Sequence, residues 1–293
     1  MKKTSAPAIT TLLTLHGSLG RPLTFMEIAE ALPEVPVEDV SEFLENGVAK
    51  KNLLEEDGFY WLKNYECGGM KRREQDFLLD RKWKKLMRLS GWFKHIPFIE
   101  FVFVSGSMSM GNVHDRSDFD VVTGVRAGRI FTTRYIVSAL FSLLRARRLD
   151  DLQESSPDKL CFNHFVTQST YEKEPHNYYR RELYRNLIPL WGSDDALNAF
   201  IARNKWADMR ALTTQDEHRR MEKKSGISRT LEALLGGSFG NMIETRVARP
   251  IAMKRLAAYR ARKGEGERVV ITDEELEFHF ELNYEKKFSG LTR

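Results

Sequence analysis

Asp118 and Asp120 are separated by a single phenylalanine in the run Ser117-Asp-Phe-Asp-Val-Val122. In a strand, alternate residues face the same way, so the two carboxylates would project side by side. Bare carboxylates held that close repel each other, and a bound divalent cation relieves the repulsion. Upstream, the apolar run Phe98-Ile-Glu-Phe-Val-Phe-Val104 leads into Ser105-Gly106-Ser107. Gly106 lets backbone approach a ligand closely, and Ser107 offers a hydroxyl and an amide N–H to an anion. An acidic pair beside a small-residue turn is a place to hold metal-bound phosphates.

The elements that must position these groups follow from the surrounding pattern. An incoming strand covers 98–104 and a second strand starts at Asp118. A helix is expected over Arg129–Arg148 and a further strand over Lys159–Thr167. Strand, helix and strand in that order build an α/β layer. The helix is so apolar between Tyr135 and Leu144 that it must be buried, yet that stretch is about half the roughly 20 residues that cross a bilayer. No transmembrane segment is therefore expected. Met108 and Met110 are expected to pack beneath the turn, and His114 and Asp115 to lie in the loop between the two motifs.

The Gly-Ser turn, a loop of about ten residues, and the acidic-hydrophobic-acidic triplet with apolar residues after it form a combined motif. Across residues 95–170 it resembles the nucleotidyltransferase superfamily typified by DNA polymerase beta, in its minimal, substrate-specific form. The resemblance implies that Asp118 and Asp120 are catalytic and hold Mg²⁺ (or Mn²⁺), and that Gly106, Ser107 and Ser117 bind the triphosphate of a nucleoside triphosphate. An acceptor hydroxyl would attack the α-phosphate with pyrophosphate leaving. Members of that superfamily bring a third carboxylate from a later strand, and Leu160–Thr167 contains no acid. Three residues could stand there instead: Asn163 as a neutral metal ligand, His164 as a base near neutral pH, and Asp158 just ahead of the strand.

Residues 1–66 resemble a winged helix-turn-helix module. A helix is expected over Ala8–His16. A second starts at Thr24, with Glu27 completing a capping box, and a third follows Pro36 with Val40, Phe43, Leu44 and Val48 as its apolar face. A hairpin over Leu53–Leu62 would turn at Asp57-Gly58. Glu38, Asp39, Glu42 and Glu45 make the third helix acidic, which argues against DNA binding and for an interaction or structural role. Cys67-Gly68-Gly69 forms a joint, and Met70–Leu89 reads as a helix burying Leu79, Trp83, Leu86 and Met87. Its Arg81, Lys84, Lys85 and Arg88 share another face, a solvated stripe or an electrostatic track.

From Tyr171 the pattern is mainly helical: one helix to Leu190, another over Asp195–Trp206, a third around Ile227–Leu235, then a basic segment over Arg246–Lys263 and an apolar Val269-Val-Ile-Thr272. Trp191, Trp206, Tyr178 and Tyr179 are expected to pack in the core rather than to stack on a base. The fold class is therefore α+β in three parts: the module at 1–66, a mixed-sheet core at 70–170 and a mainly helical region at 171–293.

The 293 residues carry a net charge of +5. Six Lys/Arg against eleven Asp/Glu in residues 1–66 leave +10 on the remainder, which suits an anionic partner. Two cysteines far apart, Cys67 and Cys161, argue for a reducing, cytoplasmic setting. The expectation is a nucleotidyltransferase whose acceptor is a small molecule, an RNA end or a protein hydroxyl. The alternative is a catalytically degenerate nucleotide-binding protein whose N-terminal module recruits a partner.

Overall fold

The computed structural model describes residues 5–148, 156–172, 176–212, 223–254 and 268–279. The chain opens with α1 (Ser5–Ser18), β1 (Leu23–Thr24), α2 (Phe25–Ala31), α3 (Val37–Ala49) and a hairpin of β2 (Leu53–Glu56) and β3 (Phe59–Leu62). The strands pair antiparallel in the order β1-β3-β2. Thr24 caps α2 with the reciprocal Glu27 bond in place, and Asp57 and Gly58 both adopt positive φ at the hairpin turn. Ile9, Leu12, Ile28, Val40 and Leu44 form a shared core, while Val48 remains outside it.

Helix α4 (Gly69–Ser90) crosses to the second part of the molecule, burying Trp83 and Leu86 against the main core. There follow β4 (Ile99–Val104), the single-turn helix α5 (Gly106–Met110), β5 (Phe119–Val125), α6 (Ile130–Leu143), β6 (Leu160–Val166), α7 (Tyr178–Arg185), β7 (Ile188–Gly192), α8 (Asp194–Arg203), α9 (Gly226–Leu235), α10 (Ser238–Ile243), β8 (Arg268–Ile271) and β9 (Glu275–His279). Six of these strands make one mixed sheet in the order β7-β4-β5-β6-β9-β8. Only β5 and β6 run parallel, and α6 makes the crossover that a parallel pair requires. One face buries Val102, Val121, Phe162 and Phe165 with Phe141 of α6. The other buries Phe101, Phe103 and Val122 with Tyr184 of α7 and Phe200 of α8.

The region after residue 170 is less helical than its composition suggests. It contributes β7, β8 and β9, half of the six-stranded sheet, so the sheet runs past the expected boundary at residue 170. The helix expected to reach Leu190 ends at Arg185. Pro189 explains this, because it lacks a backbone donor and is tolerated on an edge strand but not inside a helix. In β9, one strand in from the opposite edge, Leu276 and Phe278 alternate with Glu275 and Glu277, a period-2 pattern hidden within a charged stretch. Helix α6 also stops short of Arg148. Arg145 takes a left-handed conformation, and Arg147 and Arg148 then bridge to Leu160 of β6. Of the basic run expected over 246–263, Arg255, Arg260 and Arg262 lie outside the described residues. Among the described residues, no helix is long and apolar enough to cross a membrane.

Candidate functional site

Strand β4 delivers the chain to Ser105, whose N–H donates to the carbonyl of Asp120 at 2.9 Å. The next residue, Gly106, has φ +60, and a Cβ placed there would stand 2.3 Å from Asp120 Oδ2. Both the backbone conformation and the close approach demand glycine. The expected turn is thus one turn of helix, α5, with Met108 buried in the main core and Met110 packed against Leu15.

The loop from Gly111 to Asp118 is pinned internally and from α4. Ser117 donates its N–H to the His114 carbonyl at 2.9 Å, and its hydroxyl accepts the His114 N–H at 3.0 Å. The buried Lys82 ammonium donates to the carbonyl oxygens of Ser117 at 2.8 Å and Asp115 at 3.3 Å, and to Asp158 Oδ1 at 2.7 Å. Burial alone would raise the Asp158 pKa, but the bonds from Lys82 and Lys85 outweigh it and hold the carboxyl below its ordinary value. Asp158 is thereby committed to the lysines and does not line the cleft at the acid pair.

Asp118 stands at the mouth of β5 and Asp120 within it, and one ligand atom from each lies within 4.8 Å of the other and of the Cys161 sulfur. Asp118 Oδ2 accepts from the Arg148 guanidinium at 2.7 Å. Asp120 Oδ1 accepts from Asn163 Nδ2 at 2.9 Å. Asn163 therefore turns its amide N–H toward Asp120 and props the carboxylate, where a neutral oxygen ligand was expected.

His164 does not join this group. Its Nε2 sits 3.1 Å from Glu275 Oε1 on the neighbouring strand, and the ring is 2% exposed. Its place along the strand is the reason: Cys161 pairs with Asp120, whereas His164, after a bulge in which two steps on β5 oppose three on β6, pairs with Val122. Cys161 and Asn163 thus stand at Asp120, while His164, one pleat further on, meets Glu275 of β9. Among the residues that sequence reasoning missed is Cys161. Its position opposite Asp120 depends on a parallel register between strands some 40 residues apart, which no local pattern specifies.

These groups open onto a cleft of about 500 Å³. Gly106, Ser107, Asp118 and Asp120 lie at its acidic end, and Lys71, Arg116 and Arg148 supply positive charge on its walls. Leu19 and Gly20 of the N-terminal module close one side, and Tyr179 of α7 another. Trp191 and Trp206 are elsewhere, the first in the main core and the second stacked on His176 at 4.1 Å. A larger hollow of about 780 Å³ lies near Ile99, Tyr171 and Trp191 but does not contain the acid pair.

The donor set fits a divalent cation. Two carboxylates from one strand supply hard oxygen ligands, and the sulfur of Cys161 adds a softer one. Cationic walls next to an acidic floor match the charge of a metal–polyphosphate complex. No protein-family model, curated protein or solved structure matches this chain.

Proposed function

We propose that the chain is a divalent-metal-dependent nucleotidyltransferase that moves a nucleoside monophosphate from a nucleoside triphosphate to an acceptor hydroxyl, releasing pyrophosphate. The observation that carries this reading is the approach of the Gly106 backbone to Asp120, with Asp118 alongside, at the acidic end of a cleft with cationic walls. The succession β4, α5, loop, β5, crossover helix and parallel β6 resembles the polymerase-beta-like core. The three helices and three-stranded sheet before it resemble a winged helix.

Asp118 and Asp120 would hold the metal, which supplies positive charge to the phosphate oxygens as negative charge shifts among them. Ser107, at the start of α5, presents its hydroxyl and amide N–H to the triphosphate. Lys71, Arg116 and Arg148 neutralise the remaining phosphate charge. Arg148 donates to Asp118 Oδ2, so a metal bound at that oxygen would have to displace the guanidinium. His114, on the cleft wall, is the imidazole able to take the acceptor's proton in place of the remote His164. Leu19 and Gly20 give the N-terminal module a share in the cleft, which suits a part in acceptor choice.

A second reading draws on the same site: a nucleotide-binding protein that has lost turnover, favoured by a cysteine where a third carboxylate would complete the acidic set. Incubation with α-labelled triphosphates, Mg²⁺ or Mn²⁺ and candidate acceptors separates the two. Pyrophosphate release that disappears in Asp118→Ala and Asp120→Ala supports the transferase. Metal-dependent nucleotide binding by calorimetry with no release for any acceptor supports the second reading.

A further inference from the structure

We propose that Cys161 is a third ligand of the metal site and tunes it toward a borderline-soft divalent ion such as Zn²⁺ or Co²⁺, in preference to Mg²⁺. The proposal rests on the same acid pair as the transferase reading, but it concerns the ion and needs no nucleotide. Ligand atoms about 2.1 Å (oxygen) and 2.3 Å (sulfur) from a shared tetrahedral ion stand about 3.6 Å apart. The Asp118, Asp120 and Cys161 atoms lie within 4.8 Å of one another, so small side-chain rotations close the set.

The surroundings of Cys161 argue separately. A buried cysteine usually serves as a small hydrophobe. Cys161 is 6% exposed, and while its neighbours Leu160 and Phe162 pack in the main core, its sulfur lies within 4.8 Å of a carboxylate oxygen of each aspartate. Its register partner is Asp120, and Asn163, two residues on, donates to Asp120. The amide thus braces one carboxylate while the sulfur stands beside it as a further donor. Thiolate selects Zn²⁺-like ions, whereas carboxylate and water suit Mg²⁺ and Mn²⁺. Asp118 and Asp120 line the cleft, so an ion held by the three donors would be within reach of phosphate or water there.

Co²⁺ is the probe, because its bond to thiolate gives an ultraviolet charge-transfer band that oxygen ligands do not give. It is titrated into the nucleotide-free full chain, the Cys67→Ser variant and the Cys161→Ser variant. The expected result is a saturable band in the first two, lost in the third, with Co²⁺ affinity falling at least about tenfold and Mg²⁺ affinity changing little. Absence of the band from the unaltered chain, or its survival in Cys161→Ser, overturns the proposal. Should Cys161→Ser fold poorly by circular dichroism, Cys161→Asp decides: it is expected to reverse the preference from Zn²⁺ to Mg²⁺, and an unchanged preference overturns the proposal. A Cys161-dependent band without pyrophosphate release leaves the metal site standing and removes the transferase. Mg²⁺-supported release without any band does the reverse.

Discussion

Glu27 receives Arg72 through both carboxylate oxygens, at 3.0 and 2.9 Å. The same Oε1 accepts from Arg21 at 2.8 Å, and Oε2 accepts the Thr24 N–H that completes the cap of α2. Arg72 belongs to α4 and also donates to the Pro22 carbonyl, while Arg21 reaches the Met110 carbonyl at the end of α5. One acid therefore ties the N-terminal module to the helix that supports the core and, through Arg21, to the turn beside Gly106. The module is fastened to the cleft it helps to wall.

This cluster should make folding acid-sensitive in two stages. Burial, reinforced by the Arg21 charge, holds the His16 pKa at about 3 against an ordinary 6.5. Burial would raise the Glu27 pKa, but the bonds from Arg72 and the charge of Arg21 prevail and hold it at about 2, below its ordinary 4.5. Both folded values are depressed, so both contributions are complete above the unfolded values and fade as pH falls toward the folded ones. Urea unfolding followed by circular dichroism should lose about 2 kcal/mol between pH 6.5 and 4.5 through His16, then steepen below pH 4.5 through Glu27. His16→Leu should flatten the first stage and leave the second. Glu27→Gln should lower stability at neutral pH and flatten the second.

The Asp118–Arg148 pair at 2.7 Å would set a metal at Asp118 Oδ2 against the guanidinium. Removing the competitor should strengthen metal binding, and a charge-assisted bond of about 1.5 kcal/mol corresponds to roughly tenfold. Arg148→Gln is thus expected to bind divalent ions more tightly in the absence of nucleotide. It should bind the metal–triphosphate complex more weakly, because a cation has left the cleft wall. Calorimetric titrations of metal alone and of metal with triphosphate check the opposing signs. A parallel change in both would mean that Arg148 does not exchange partners.

Much of this arrangement could be read locally. The capping box at Thr24 and Glu27, the turn at Asp57-Gly58, the strand into Gly106 and the side-by-side aspartates each depend on residues a few positions apart. What escaped depended on pairing across the chain. Cys161 comes to Asp120 through a parallel register and His164 turns to Glu275, Arg148 enters the site because α6 ends early at Arg145, and β9 hides as alternation within an acidic stretch. The basic stripe of α4 also divides. Lys84 pairs with Asp80 and Arg81 with Asp115 on the surface, while the neighbouring Lys82 turns inward to hold the loop.

Gly106 and Gly128 allow backbone strain to be separated from crowding at the acid pair. Both have positive φ, +60 and +72, but a Cβ on Gly128 meets nothing within 4 Å whereas one on Gly106 meets Asp120 Oδ2 at 2.3 Å. Each alanine should cost about 1–2 kcal/mol of stability for the left-handed backbone. Gly106→Ala alone should also push Asp120 aside and weaken metal binding at least about tenfold. Thermal melts beside Co²⁺ titrations make the comparison. Equal metal affinity in the two variants would show that the Gly106 contact does not position the carboxylate.

Lys82 should matter to the site although it touches no ligand. Its side chain is 3% exposed, and its ammonium is shared among two loop carbonyls and Asp158. Lys82→Met keeps the buried stem but leaves the Ser117 carbonyl and an Asp158 oxygen without that donor, at a cost of about 2–4 kcal/mol. Lys85 also pairs with Asp158, at 3.1 Å, but from a half-exposed position where such a pair contributes less than about 1 kcal/mol. Chemical denaturation should therefore show a large loss for Lys82→Met and almost none for Lys85→Ala. The loop that carries His114, Arg116 and Ser117 loses its anchor only in the first variant, so triphosphate affinity should fall there and hold in the second. Equal affinities would mean that the loop keeps its shape through the reciprocal Ser117–His114 bonds alone.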